Sequence, residues 1–253
     1  MTFDPTPEQQ LRSARARAVA SGASAAAASI DQTCLVPAAL LESVVAAKLD
    51  DVFASDAVGA VLVVEELAVA SAALAAAVAL SRLADTEPDA TLAWPGLRGA
   101  ERALGRAALA TGVAAHGARL VLCAIAVGVG RAAIAHAIAA MKESGARAGG
   151  DEQTPYWTLA DAATEIDAAR LLTLSAAQKL DQEIDATASI ALARSFTATA
   201  AEGAVDAAIR VVGPRGYQVG SLLERLSRDA RTLTLVLDTV EQSRTSAASI
   251  LRS

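Results

Sequence analysis

The chain has 253 residues, enough for one large domain or two smaller ones around a sizeable buried core. Apolar residues make up 53% of it, with Ala dominating, and aromatics only 3%, a balance that disfavours a sheet protein and favours closely packed helices. The net charge of −6 argues against general nucleic-acid binding, which needs a surplus of Lys and Arg.

The N-terminus, MTFDPTPEQQ, is acidic and polar and opens with no secretory signal, so the cytoplasm is the expected compartment. Pro7 with Glu8 marks a helix start, and Gly22 is expected to interrupt that helix. Pro37 predicts a short helix over PAALLESVVAAKL, and Asp56 is the predicted N-cap of a long apolar helix from Ala57 to Leu83. The Pro- and Gly-rich stretch 84–112 reads as a linker. A second helical block begins near Ala100 and runs to about Glu143. A third begins at Thr158 or Asp161, a fourth covers Ile184 to Val212, and Gly213, Pro214 and Gly216 break it. Ser221 to Arg252 completes the set, with a kink expected between Asp238 and Ser243. No segment alternates apolar and polar residues at strand period, so the expected fold is all-α, a bundle of long antiparallel helices.

Two stretches approach membrane-span character. Ala57 to Leu80 is interrupted by Glu65 and Glu66, and Leu120 to Gly130 is bounded by Arg119 and Arg131. Neither offers about 20 uninterrupted apolar residues, so both read as buried core helices. Glu65 and Glu66 are adjacent and are expected on different faces of their helix, not as a catalytic pair. Cys34 and Cys123 lack metal or disulfide spacing, and His116 and His136 stand on helices without a second ligand, so no metal site is expected. Trp94, Tyr156 and Trp157 fall at loops or helix ends, where interface anchoring and ligand stacking are equal readings.

The segment Val212 to Arg231, VGPRGYQVGSLLERLSRDAR, resembles the acyl-CoA dehydrogenase pattern of a Gly-Gly-x-Gly-Tyr turn followed by a helix carrying Glu-Arg-Leu-x-Arg-Asp-Ala-Lys. Upstream, LADAATEIDAARLL is similar to that family's Leu-Ala-Asp-Met-x-Thr-x-Ile-Glu-Ala-Ala-Arg, and VLCAIAVGVGRAAIAHAIAAMKE to the helix before it. TPEQQLR and AVGAVLVVEELAVAS resemble its opening helices. The resemblance covers about residues 1–80 and 113–253. It implies an N-terminal helical region (1–83), a linker (84–112) where the family inserts its middle β-domain, and a C-terminal up-and-down four-helix bundle (113–253).

The resemblance also exposes departures. The family's Tyr-Glu-Gly-Thr-x-Glu falls on Val236, Leu237, Asp238, Thr239, Val240 and Glu241, so Leu237 occupies the position of the common catalytic glutamate. The alternative base position of some relatives, before Arg-Leu-Val-Leu, holds Ala118. Asp238 stands one residue on, a turn of about 100° on a helix, which makes it a poor substitute base. Family members bind flavin across a subunit boundary. The positions implied for the partner's FAD are Lys142, Gln153, Arg210, Gly213 and Pro214, with Arg215 and Gly216 in the same turn and Thr239 and Glu241 after the base position. Lys142 keeps the charge of the usual Arg without its fork, and Arg210 replaces a Gln with a cation able to pair a phosphate.

The resemblance therefore implies a subunit of a heteromeric, FAD-dependent acyl-CoA dehydrogenase, paired with a full-length homologue as an α2β2 heterotetramer. Such split pairs in the family act on bulky acyl-CoA thioesters, steroid-derived ones among them. Two alternatives stand beside it: a scaffold subunit that binds no flavin, and an independent enzyme using Asp238.

Overall fold

The computed structural model describes residues 4–33, 35–49, 51–83, 113–143 and 153–252. Its regular structure is helical, with no strand among the described residues. Helix α1 (Pro7–Ala23) starts at Pro7, where Thr6 and Gln9 form a reciprocal capping box. Gly22 does not interrupt it: the helix continues through Gly22 into a 3₁₀ turn (Ser24–Ala26) and α2 (Ala27–Thr33). Helix α3 (Ala38–Ala46) follows Pro37, as read.

The single helix expected from Ala57 to Leu83 is two, α4 (Ala57–Ala70) and α5 (Ala72–Leu83). Ser71 is extended at φ −159°, ψ 116°, and its hydroxyl accepts the Leu74 N–H at 3.3 Å. A serine can leave the helix because its hydroxyl caps the next one. Asp56 caps α4 as expected, accepting the Gly59 N–H at 2.7 Å. A second cap comes from far along the chain. Asp181 accepts the N–H groups of Ala57 and Val58 at 2.6 and 3.0 Å.

The C-terminal half contains α6 (Val113–Glu143), α7 (Gln153–Asp181), α8 (Thr187–Val212), a 3₁₀ turn (Gly213–Tyr217), α9 (Leu222–Leu233) and α10 (Val240–Leu251). Helix α7 begins at Gln153, earlier than expected, since Pro155 is tolerated in its first turn. The expected kink between Asp238 and Ser243 is a full break over 234–239. The next helix then starts from a Thr239–Gln242 capping box. The predicted linker 84–112, with Trp94, and Cys34 lie outside the described residues.

Helix α6 is the hub, packing against α4, α5, α7, α8 and α9. It is apolar and long enough to span a membrane, and most of it is buried inside the protein. Close approach needs small residues. A Cβ on Gly128 would meet Ala68 Cβ and the Glu65 carbonyl at 2.6 Å, and one on Gly130 would meet Ile166 Cδ1 at 2.2 Å. The core runs from Ala16 through α4, α5 and α6 to Val236. Each fully buried leucine, such as Leu67, Leu74 or Leu122, contributes about 1.5–3 kcal/mol.

An ion-pair network ties α1 and α4 to the bundle. Glu65 and Glu66, both buried, are joined by Arg131 of α6, which donates through Nη1 to one Oε1 of each. The sequence places these adjacent residues on different helix faces, yet both carboxylates reach the same Arg131 nitrogen. Arg170 of α7 donates its Nε to both oxygens of Glu65 at 2.8 Å. Arg17 of α1 grips Glu66 with two bonds, at 3.1 and 2.8 Å.

Candidate functional site

The segment between α9 and α10 carries both the Leu237 and the Asp238 positions. It is held from inside by Arg194 of α8, which is 1% exposed. Arg194 Nη2 lies within hydrogen-bonding reach of the carbonyls of Leu233, Val236 (2.9 Å) and Asp238 (3.2 Å). Its Nε and Nη1 have no hydrogen-bond partner among the described residues. Burial pulls the Arg194 pKa down, opposed by the neighbouring Cys123 and Asp238. Burial likewise pushes the Cys123 thiol up.

Leu237 adopts φ 64°, a left-handed backbone that is uncommon for a residue without glycine's freedom. Its side chain is half-buried and packs on the core. Asp238 turns to Arg119 on α6, which donates Nε to Oδ2 and, at 3.2 Å, Nη2 to Oδ1. Ala118 is fully buried within α6. Neither position that holds a base in the resembled family therefore carries a proton acceptor, and the one carboxylate beside them is ion-paired. Thr239 spends its hydroxyl on capping α10 by accepting the Gln242 N–H. Glu241 is exposed, and its carboxyl is held below the usual range by its own backbone N–H and by Thr239.

A second group assembles at the other end of the bundle. Glu165 lies beside Gly203 and Lys179 hydrogen-bonds Ser189, so α7 and α8 run antiparallel. Gly130 of α6 meets both Ile166 of α7 and Ala204 of α8, and Cys123 neighbours Thr197, so α6 and α8 run parallel. Extending these registers brings the end of α6 (Lys142), the start of α7 (Gln153) and the turn after α8 (Gly213–Gly216) to one level. Lys142, Gln153, Arg210 and Arg215 are all exposed there. Among the described residues, Arg210 bonds the Asp206 carbonyl alone, at 3.3 Å. Gly213 sits at φ 76°, ψ −155°, a conformation essentially reserved for glycine, and no atom lies within 4 Å of where its Cβ would be. Pro214 is exposed, and Gly216 is buried against Ile209 and Leu223.

The flavin positions that the resemblance implies thus split. Lys142, Gln153, Arg210, Gly213, Pro214, Arg215 and Gly216 share one end, while Thr239 and Glu241 belong with the Arg194 end, about 24 Å away along α8. These cations, which form no ion pair among the described residues, and the open glycine backbone suit the pyrophosphate of a dinucleotide, which needs donors and close main-chain approach. His116 and His136 are half-buried, and no cluster of metal-ligating side chains occurs among the described residues.

Sequence reasoning missed Arg194, the Arg119–Asp238 pair and the Glu65–Glu66 network. A signal was present for Arg194, Glu65 and Glu66: each is a charge set in an otherwise apolar helical run, as in VLVVEELAVA and IALARSF, and a buried charge requires a partner.

Residues 99–246 match the family model for the acyl-CoA dehydrogenase C-terminal domain. The chain is 34% identical over 130 residues to the probable acyl-CoA dehydrogenase YngJ of Bacillus subtilis, a match covering 51% of this chain and 34% of that protein. It is 31% identical over 120 residues to the caffeyl-CoA reductase-Etf complex subunit CarC of Acetobacterium woodii, covering 46% of this chain and 31% of that one. The chain thus spans about a third of the length of these curated relatives. The three-dimensional structure of butyryl-CoA dehydrogenase from Megasphaera elsdenii shares the fold, with a TM-score of 0.82 at 15% identity and 100% coverage of both chains.

Proposed function

Since this chain belongs to the acyl-CoA dehydrogenase family, we propose that it is the non-catalytic subunit of a heteromeric, FAD-dependent acyl-CoA dehydrogenase. A full-length homologue brings the catalytic base and most of the flavin site, in an α2β2 assembly. The reaction is α,β-desaturation of an acyl-CoA thioester, bulky or steroid-derived thioesters included. When bound, FAD supplies the hydride acceptor. This chain contributes Lys142, Gln153, Arg210, Arg215 and the Gly213 backbone, which would hold the pyrophosphate of the partner's FAD in trans.

The observation that carries this reading is the contrast between the two ends of the bundle. At one end, uncommitted cations and an open glycine converge. At the other, the base positions hold Leu237 and Ala118, and Asp238 is bound to Arg119. That engagement weighs against the independent enzyme using Asp238, because a general base must reach the substrate proton first. Exposed apolar residues on the C-terminal helices, Leu171, Leu192 and Phe196 among them, support burial against another subunit.

Co-expression with a full-length homologue tests the proposal. A yellow, co-purifying complex whose activity needs both chains supports it. A complex in which the partner alone binds flavin and turns over at the full rate leaves only the scaffold role. Turnover by this chain alone overturns it.

A further inference from the structure

The Glu65–Glu66 network forms the floor of an open cleft of about 460 Å³, whose Arg131 lies on α6 between Arg119 and Lys142. Pro5, Gln10, Ser13 and Arg17 line one side, and Arg131, Asp167 and Arg170 the other. A count of donors and acceptors decides what it suits. The floor acceptors are taken: both oxygens of Glu65 and both of Glu66 already receive guanidinium N–H groups. The donors are not. Among the described residues, Arg170 donates through Nε, Arg131 through Nη1, and Arg17 through Nε and Nη2 alone. The carboxylates are buried behind, at 2% and 9% side-chain exposure, while the Arg131 and Arg170 side chains are each 35% exposed and that of Arg17 is 66% exposed. The cleft therefore presents a wall rich in N–H donors, with its three guanidiniums balanced by Glu65 and Glu66 below and Asp167 beside them. Asp167 is exposed and has no hydrogen-bond or ion-pair partner among the described residues.

We propose that this cleft binds a small oxyanion group, a phosphate monoester or a carboxylate, through the spare N–H groups of Arg17, Arg131 and Arg170. Guanidiniums already fixed by buried carboxylates lose little freedom on binding, so the site is pre-organised. Asp167 sets the selectivity: it repels a second negative charge at the rim and accepts from a hydroxyl or ammonium on the ligand.

The test is calorimetric titration of the full chain with inorganic phosphate and with succinate, against chloride at matched ionic strength. Three proteins are compared: wild type, Arg17→Gln and Asp167→Asn. Asp167→Asn leaves the buried floor untouched, whereas Arg17→Gln leaves Glu66 with Arg131 alone at 3.4 Å, so each variant's fold is first checked by circular dichroism and urea unfolding. Saturable binding of one oxyanion is expected, about tenfold weaker in Arg17→Gln and several-fold tighter in Asp167→Asn. The anion that binds tighter separates the phosphate from the carboxylate source. No saturable binding beyond chloride, or the same Kd in all three proteins, overturns the proposal. Neither substitution touches the flavin-facing end, so the result stands apart from the fate of the heteromeric reading.

Discussion

Arg119 and Asp238 lie 119 residues apart in sequence and share a two-point ion pair. Each directly follows a position where the acyl-CoA dehydrogenase family keeps a base, Ala118 for one and Leu237 for the other. If those two positions faced a substrate as in that family, the pair would stand in its way. The carboxylate nearest the lost base is engaged, and the backbone beside it is locked by Arg194.

Restoring the glutamate is therefore not enough. Leu237→Glu in the isolated chain is expected to give no acyl-CoA turnover with an artificial electron acceptor. The new side chain would leave a half-buried seat on the core at a left-handed φ of 64°. Measurable activity in that variant would refute the account of a closed site.

Arg194 sets the shape of the 234–239 segment. Replacing it by Ala strands the carbonyls of Leu233, Val236 and Asp238 in a buried setting. A loss of about 3–5 kcal/mol in unfolding free energy is expected, in the range for breaking a buried charged network. Hydrogen exchange of the amides of 236–239 should accelerate ahead of the rest of the chain. A variant as stable as wild type in urea would show that the guanidinium contributes nothing net.

Asp229, on α9, is 4% exposed, and burial pushes its carboxyl up to about 7, against the pull of Arg225 and Arg228. The sign follows from linkage. The folded state keeps a proton that the unfolded chain releases near pH 3.9, so this group's contribution falls as pH rises from about 4 to 7 and is flat above. Glu224, held low chiefly by its bond to Arg228, acts in the opposite sense and loses its contribution in acid. Asp229→Asn should flatten the decline between pH 4 and 7 and be the more stable protein at pH 8, by up to about 4 kcal/mol. Urea midpoints across that range check it, and parallel curves for the two proteins would count against it.

Much of the fold was legible because it rests on local signals. Pro7, Asp56 and the Gly213–Pro214 turn each mark a boundary by backbone chemistry that sequence displays. Ser71 did not, since a serine breaks a helix only where its hydroxyl finds the next N–H, and that is a tertiary fact. The Asp181 cap on α4 was hidden for the same reason, with 124 residues between partners. At the site, the empty base positions were readable by type. The pairing of Arg119 with Asp238 and the grip of Arg194 depend on how α6, α8 and the α9–α10 connection meet, which no periodicity encodes.

The same registers argue the last prediction. Arg210 and Arg215 flank Gly213 at the end of α8, level with Lys142 and Gln153, and both guanidiniums are exposed. Neither contributes to the core, so Arg210→Ala with Arg215→Ala should leave folding and subunit assembly intact. If the turn faces a partner's pyrophosphate, each lost charge-assisted contact costs up to about 1.5–3 kcal/mol, less with solvent screening. The co-purified complex should then lose flavin on dilution or gel filtration at least tenfold more readily than wild type. The loss should lessen at low ionic strength, where the remaining Lys142 is least screened. Flavin absorbance per complex, read alongside the subunit ratio, separates the outcomes. Unchanged flavin with unchanged assembly removes the contribution in trans and leaves a scaffold whose role lies in the apolar faces of its C-terminal helices.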